Sequence, residues 1–114
     1  MKQIIAFIKP HMLSNVTTAL KNAAGLTGMS VSEVQGFGRG KGGNAAARIS
    51  EDLVNYYAPR VRIEMFCSDE FAEEIISLVE KIAHTGLRGD GKIFVTPVEL
   101  AVRISTGERG EKAV

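Results

Sequence analysis

The sequence repeats one order of elements twice, and this repeat constrains the fold more than any other feature. In the first half, Gln3 to Lys9 is an isoleucine-rich run that predicts a buried strand, and Met29 to Val34 alternates apolar and polar residues as a half-buried strand does. Between them, one helix face is predicted from residues spaced three and four apart: Leu13, Val16, Thr17 and Leu20. Pro10 suits the first turn of this helix, because its missing N–H costs nothing there, and Gly25 and Gly28 end it.

The second half follows the same plan. Val61 to Cys67 alternates as a strand, and Asp69 is predicted to cap the helix that follows. The apolar stripe of that helix consists of Phe71, Ile75, Leu78, Val79 and Ile82. A glycine-rich turn from Gly86 to Gly91 precedes a strand from Lys92 to Val95 and an apolar-rich stretch from Val98 to Ile104. This twofold βαβ repeat predicts an α+β fold of ferredoxin-like arrangement, with both helices on one sheet face and one domain formed by all 114 residues.

Such a sheet leaves its second face uncovered by helices. In the strand from Val61 to Cys67, the apolar positions alternate with Arg62, Glu64 and Phe66, which predicts a mixed second face. A domain of this size buries only about two thirds of its unfolded surface. We therefore expect the chain to form an oligomer that covers this face.

Charge and cysteine content bear on partners and compartment. The 14 basic and 13 acidic side chains give a formal net charge of +1, so no long-range attraction to nucleic acid or to an anionic membrane is expected. The single cysteine, Cys67, is interpreted as a small buried hydrophobe with no disulfide partner. No apolar run approaches the ~20 residues of a membrane span, and no signal-peptide pattern is present. The sequence predicts a soluble, cytoplasmic protein.

Two glycine-rich segments are the candidate anion sites. In Gly89-Asp90-Gly91-Lys92, glycines let backbone N–H groups approach a phosphate and the lysine adds a charge. Asp-Gly is also typical of a tight turn without a ligand, and the local pattern alone favours that alternative. Gly36 to Gly42 contains a weak G-x-G pattern, and a flexible tether to the long segment from Ala45 to Pro59 explains it equally well.

Metal and catalytic chemistry find little support. His11 and His84 stand alone, without a second ligand at metal spacing, so no metal site is predicted. No serine or cysteine lies in a nucleophile motif with an evident base, and no carboxylate pair stands out, so the chain is not expected to be an enzyme.

Several spaced motifs, in order, resemble the PII signal-transduction family over nearly the whole chain. They are Ile8-Lys9-Pro10, Leu26-Thr27-Gly28-Met29, Gly36-Phe37-Gly38-Arg39, Thr85-Gly86, Gly89-Asp90-Gly91-Lys92-Ile93-Phe94-Val95, Arg103-Ile104 and Thr106-Gly107-Glu108. The resemblance implies a homotrimer of ferredoxin-like subunits that binds ATP or ADP in the clefts between them. A long T-loop, about residues 37–59 here, would then dock on an unidentified protein such as a transporter, an enzyme or a regulator, often in nitrogen metabolism. A second loop would occupy about residues 105–114.

The resemblance also assigns residues to the nucleotide. The base of the T-loop would meet the phosphates through Gly36, Phe37, Gly38 and Arg39. Phosphate would be cradled by Gly89, Asp90, Gly91 and Lys92, with Arg60 and Phe94 also at the nucleotide and Arg103 reaching in from the next subunit. The adenosine would be surrounded by Gly28, Met29, Ser30, Glu64 and Phe66. In the T-loop, the partner would meet Lys41, Arg48, Glu51, Asp52 and Tyr56.

Departures from the family pattern narrow these expectations. The family's glutamine after G-F-G-R is Gly40, which has no side-chain oxygen for a metal and argues against Mg²⁺ and 2-oxoglutarate as ligands. Arg60 replaces the family's lysine, which keeps the charge but changes its geometry. Ser105 replaces the family's second arginine, so one phosphate contact is missing and selection for a triphosphate is expected to be weaker. The usual T-loop tyrosine has no clear equivalent, so control by uridylylation is not expected.

The alternative from the same resemblance is a trimer associated with metal-ion tolerance or efflux that acts without nucleotide. Some divergent relatives with an altered T-loop are associated with cation-efflux transport. The loop holds no histidine or cysteine, which argues against this alternative.

Overall fold

The computed structural model describes residues 1–36 and 58–114, which form a four-stranded antiparallel sheet covered by two helices. The strands are β1 (Lys2–Ile8), β2 (Met29–Gly36), β3 (Ala58–Cys67) and β4 (Gly91–Pro97). The helices are α1 (Leu13–Lys21) and α2 (Asp69–Ala83). The strand order β2-β3-β1-β4 places the two strands of each half apart in the sheet, as the ferredoxin-like arrangement does. The predicted α+β fold is confirmed.

Period-two alternation builds the core on one face of the sheet. In β1 the buried side chains are Ile4, Ala6 and Ile8, and in β3 they are Val61, Ile63, Met65 and Cys67. The helices contribute Val16 and Leu20 from α1, and Ala72, Ile75, Val79 and Ala83 from α2. Cys67 is fully buried, as predicted, and desolvation raises the pKa of its thiol.

The ends of several elements differ from the sequence predictions. Pro10 opens a short 3-10 turn, Pro10–Met12, that leads into α1, and α1 ends at Lys21, before either predicted glycine. The prediction that Asp69 caps α2 is wrong, because Ser68 is the N-cap and Asp69 is the first helical residue. The Asp69 carboxylate instead accepts a hydrogen bond of 2.8 Å from the amino group of Met1. β3 begins at Ala58, so it includes the last two residues of the predicted T-loop.

The apolar stretch from Val98 to Ile104 does not form a long strand. It enters a short C-terminal hairpin, residues 102–109, in which Val102 and Arg109 form a single bridge. The N–H of Arg103 donates to the carbonyl of Glu108 at 2.9 Å, and the N–H of Gly107 donates to the carbonyl of Arg103 at 2.7 Å. A 3-10 turn, Gly110–Ala113, follows the hairpin.

The second face of the sheet, here called the open face, carries both polar and aromatic side chains. A hydrogen-bonded chain crosses it: Thr96 Oγ1 donates to Gln3 Oε1 at 2.9 Å, and Gln3 Nε2 donates to Glu64 Oε2 at 2.7 Å. Phe7 and Phe94 meet edge to face with ring centroids 6.3 Å apart. Phe94 is still 52% exposed and Phe66 43% exposed, so this face presents aromatic surface to whatever covers it.

None of the helices in the described part of the chain is both long enough and apolar enough to cross a membrane.

Candidate functional site

A pocket of about 570 Å³ opens at one end of the sheet. Its lining includes all five residues that the resemblance assigned to the adenosine: Gly28, Met29, Ser30, Glu64 and Phe66. The register of the sheet brings them together, because Ser30 of β2 lies directly opposite Glu64 of β3. The rest of the lining comes from the N-terminal residue, from Thr27 and from the chain after β4, namely Val98, Leu100, Ala101, Val102, Ala113 and Val114.

The pocket combines one anchored carboxylate with several aliphatic side chains and an aromatic ring. Glu64 Oε2 accepts from Gln3 Nε2 at 2.7 Å and lies 3.2 Å from Arg62 Nη2, so its position is fixed by two neighbours on the open face. Phe66 offers a half-exposed ring beside it. A carboxylate held beside an aromatic ring and aliphatic side chains can accept hydrogen bonds from a flat, amino-bearing heterocycle while the apolar groups contact its faces.

The glycine turn, residues 86–91, lies between α2 and β4. Gly91 has a φ of +114°, and a Cβ there would lie 1.7 Å from the carbonyl oxygen of Phe7. Only glycine therefore allows this close approach of the turn to β1. The same contact places the turn beside the end of β1, since Gly91 pairs with Ile8.

Asp90 points back into the turn and is engaged by its neighbours. Its carboxylate accepts hydrogen bonds from the backbone N–H of Thr85 at 2.9 Å and from the Thr85 hydroxyl, and Lys9 Nζ lies 3.2 Å from Oδ1. His84 Nδ1 lies 3.4 Å from the other carboxylate oxygen. The hydrogen bonds from Thr85, followed by the nearby Lys9 ammonium, lower the pKa of Asp90 well below its usual range.

Cations surround the glycine turn. The Arg60 guanidinium lies against Gly89, with Nη2 3.2 Å from the position of a Cβ on that glycine. Lys92 follows the turn on the open face, opposite Phe7, and is exposed. Gly36 lies at this same end of the sheet, because it pairs with Ala58 where β3 begins. The structure thus places Gly36, Arg60 and Gly89–Lys92, all predicted to contact the nucleotide, at one end of the sheet.

Arg103 lies at the other end, in the C-terminal hairpin next to the pocket. Its Nη1 is 3.7 Å from Glu108 Oε1, and its Nη2 donates to the carbonyl of Lys112 at 3.4 Å. The adjacent Val102 lines the pocket. Within one chain, Arg103 therefore accompanies the adenosine residues and not the glycine turn.

The two groups of predicted site residues lie at opposite ends of the sheet. Phe66 of the pocket pairs with Gln3, whereas Gly91 of the turn pairs with Ile8. Five residues of strand separate these positions, which is roughly 17 Å along β1.

Some predicted residues lie outside the described part of the chain. They are Phe37, Gly38, Arg39 and Gly40 at the base of the T-loop, and Lys41, Arg48, Glu51, Asp52 and Tyr56 within it. Their roles stay predictions. Within residues 1–36 and 58–114, no group of three His, Cys, Asp or Glu side chains could hold a metal ion.

The sequence reasoning missed Lys9 and Thr85 as members of the glycine-turn cluster, and it missed the chain after β4 as a wall of the pocket. For Lys9 a signal was present, because it is the single charged residue in the apolar run from Gln3 to Lys9. Recognising that Lys9 lies beside the glycine turn requires knowing that β1 pairs with β4, and sequence periodicity does not reveal which strands pair.

Comparison with known proteins identifies one family. The family model described as "Nitrogen regulatory protein P-II" matches residues 1–108. Proteins named nitrogen regulatory protein P-II are similar along the full length of both chains, with 47% identity for that of Azospirillum brasilense, 46% for Cereibacter sphaeroides and 45% for Pasteurella multocida.

Proposed function

This chain belongs to the nitrogen regulatory protein P-II family and is a signal-transduction regulator of the PII type, and we propose that it acts by binding an adenine nucleotide between copies of itself. The ligand of the proposal is ATP or ADP, with AMP as a further candidate. The occupied protein would then regulate a partner, such as a transporter, an enzyme or a regulator in nitrogen metabolism, through residues 37–59.

The separation of the two groups of site residues carries this proposal. The pocket with Glu64 suits a nucleobase, and the glycine turn with Arg60 and Lys92 suits a phosphate chain, yet they lie at opposite ends of the sheet. The pocket and the glycine turn of a single chain are therefore too far apart to bind the same nucleotide. If the pocket end of one copy meets the turn end of the next, each junction holds a complete site, and Arg103 comes with the pocket half.

The open face supports the same assembly. It exposes Phe66 and Phe94 on either side of a polar chain through Gln3 and Glu64. Exposed aromatic surface of this kind favours burial against another protein surface. A ring of three copies, the arrangement implied by the family, would turn these faces towards one another and repeat one heterologous junction three times.

No step of this function requires catalysis by the chain. Members of the family act as regulators, and we propose that this chain likewise binds nucleotide without converting it. The surroundings of the turn suit this role, because backbone N–H groups and cations can bind phosphate without supplying a nucleophile.

Calorimetry with ATP, ADP and AMP, with and without Mg²⁺ and 2-oxoglutarate, tests the ligand, and light scattering tests the assembly. We expect a trimer with saturable heats for ATP or ADP. A monomer that gives no heat with any nucleotide contradicts the proposal. Tight binding in a parallel titration with divalent transition metals, together with absent nucleotide binding, would instead favour the metal-tolerance alternative.

A mixing experiment tests the split site directly. Glu64→Ala damages the pocket half and Lys92→Ala damages the turn half, and each variant alone is expected to bind nucleotide weakly. After the two are unfolded and refolded together, a mixed trimer has one junction built from the two undamaged halves. Recovery of tight sites only in the mixture supports the split site, whereas equally weak binding in mixture and parents contradicts it.

A further inference from the structure

Asp90 is oriented away from any ligand that would approach the glycine turn from outside. Both of its carboxylate oxygens are occupied from within the protein: Oδ2 accepts the N–H of Thr85, and Oδ1 accepts the Thr85 hydroxyl and lies 3.2 Å from Lys9 Nζ. A carboxylate also repels a phosphate. Asp90 is therefore badly suited to be a phosphate ligand, although it lies in the middle of the predicted cradle.

Asp90, Lys9 and Thr85 contact one another in a cluster, and His84 Nδ1 also lies 3.4 Å from Asp90 Oδ2. Lys9 Nζ donates to Thr85 Oγ1 at 3.2 Å, and the same hydroxyl oxygen accepts the N–H of Leu87 at 3.1 Å. The Lys9 side chain is 14% exposed and that of Asp90 23% exposed. This partial desolvation makes the pair stronger than an ordinary surface ion pair.

The cluster spans the part of the turn that most needs support. The turn contains three glycines, Gly86, Gly89 and Gly91, and glycine loses more backbone freedom on ordering than any other residue. The cluster connects Thr85, just before the turn, to Asp90, near its end, and to Lys9 in the stretch just after β1. It therefore fixes the two ends of the turn relative to each other and to the sheet.

We propose that Lys9 and Thr85 are positioning residues that act through Asp90 to hold the glycine turn in the conformation that receives phosphate. Lys9 does not contact the phosphate in this arrangement; it neutralises Asp90 and anchors it. The effect of the ordered turn on phosphate binding rests on the proposed nucleotide function. The ordering of the turn by the cluster, however, is a property of the unliganded protein.

Hydrogen exchange without nucleotide tests the ordering. In Lys9→Met and Thr85→Val, the backbone amides at positions 85 and 87 are expected to exchange at least about tenfold faster than in the unchanged protein, because the cluster no longer restrains them. Thr85→Ser keeps the hydroxyl and is expected to restore slow exchange. Lys2→Met is the matched control, since Lys2 also lies close to an aspartate carboxylate but stands at the opposite end of β1 from Lys9. Unchanged exchange in both Lys9→Met and Thr85→Val overturns the proposal.

Nucleotide affinity then separates positioning from direct contact. Removing a negative charge beside a phosphate site should tighten binding on electrostatics alone, and it would also free Lys9 to bind phosphate. If Asp90 positions the turn, Asp90→Ala instead weakens ATP and ADP binding by about tenfold and leaves adenosine binding unchanged. Tighter binding of ATP by Asp90→Ala, or faster exchange with unchanged affinity for ATP, overturns the positioning role. If the unchanged protein binds no nucleotide, the proposed function fails, while the exchange result still decides whether the cluster orders the turn.

Discussion

Arg103 and Glu108 face each other across the C-terminal hairpin, with Nη1 of Arg103 3.7 Å from Oε1 of Glu108. Their backbones are also joined, since the N–H of Arg103 donates to the carbonyl of Glu108. Both side chains are more than 40% exposed, so the ion pair itself contributes little to stability. Its larger effect is on the ligand, because a carboxylate beside Arg103 offsets part of the positive charge that a phosphate would meet.

Glu108→Gln is therefore expected to tighten nucleotide binding by about two- to threefold, the range of an exposed ion pair. The gain should increase with phosphate charge, from AMP to ADP to ATP, and decrease at high salt. Calorimetry at two salt concentrations measures it. Glu99→Gln, which removes an exposed carboxylate outside the hairpin, serves as the control. An equal gain for AMP and ATP would show that the effect is not the release of Arg103.

Lys92→Ala is expected to weaken ATP and ADP binding by about tenfold, the loss typical of one charge-assisted contact. The trimer should remain intact, because Lys92 is exposed and its backbone pairing with Phe7 does not depend on the side chain. Calorimetry and light scattering on the same sample measure the two quantities. Lys81→Ala, at an exposed position on α2, is the control. Unchanged affinity would remove Lys92 from the phosphate site.

Ile75→Ala tests the core beneath α2. Ile75 is fully buried between the helices and the sheet, so its truncation should lower the free energy of unfolding by about 2–5 kcal/mol. Ile76→Ala removes the same atoms from a partly buried neighbour and should cost less. Urea unfolding at a fixed protein concentration measures both, since assembly couples concentration to stability. Equal losses at the two positions would contradict the observed burial.

The pH dependence of stability tests the interactions of Asp90. Its pKa in the folded protein lies below the unfolded value of about 3.9, so its contribution is fully present above that pH and is lost as the pH falls through the folded pKa. At neutral pH, the urea concentration at the unfolding midpoint should thus be higher for the unchanged protein than for Asp90→Asn. This difference should shrink under acid conditions. Glu99→Gln, which removes an exposed carboxylate outside this cluster, is the control. A difference independent of pH would mean that the charge of Asp90 is not involved.

Elements with a clear period were predictable from the sequence, and contacts between them were not. Two patterns depend only on which face each residue takes: the alternation from Val61 to Cys67 and the stripe through Ile75 and Val79. Patterns of this kind therefore predicted the strands, the helices and most of the core. The stretch from Val98 to Ile104 has the same apolar texture, but it forms no strand. It joins other segments through the Val102–Arg109 bridge and through isolated backbone hydrogen bonds, such as that from the N–H of Val98 to the carbonyl of Met1. Periodicity cannot distinguish such a stretch from a strand, because pairing depends on a distant partner.

The candidate site shows the same limit. Sequence motifs located both the glycine turn and the residues around Glu64, but only the register of β1 with β3 and β4 shows that they lie at opposite ends of the sheet. The motifs also could not predict which way the Asp90 side chain points. Its carboxylate turns inward because the Thr85 N–H and hydroxyl and the Lys9 ammonium converge on it, and Lys9 comes from the other half of the chain.

The close approach of Gly91 to the carbonyl of Phe7 has a consequence for genetics. A side chain at this position would clash with β1 and prevent β4 from pairing with it. A substitution would therefore cause a loss of folded protein, and ligand binding would be lost as a result. In a screen for loss of signalling, alleles at Gly91 would resemble binding defects and yet report a failure of folding. Selection acting on the edge of the sheet is thus enough to preserve this glycine, even in a lineage that has ceased to respond to the ligand.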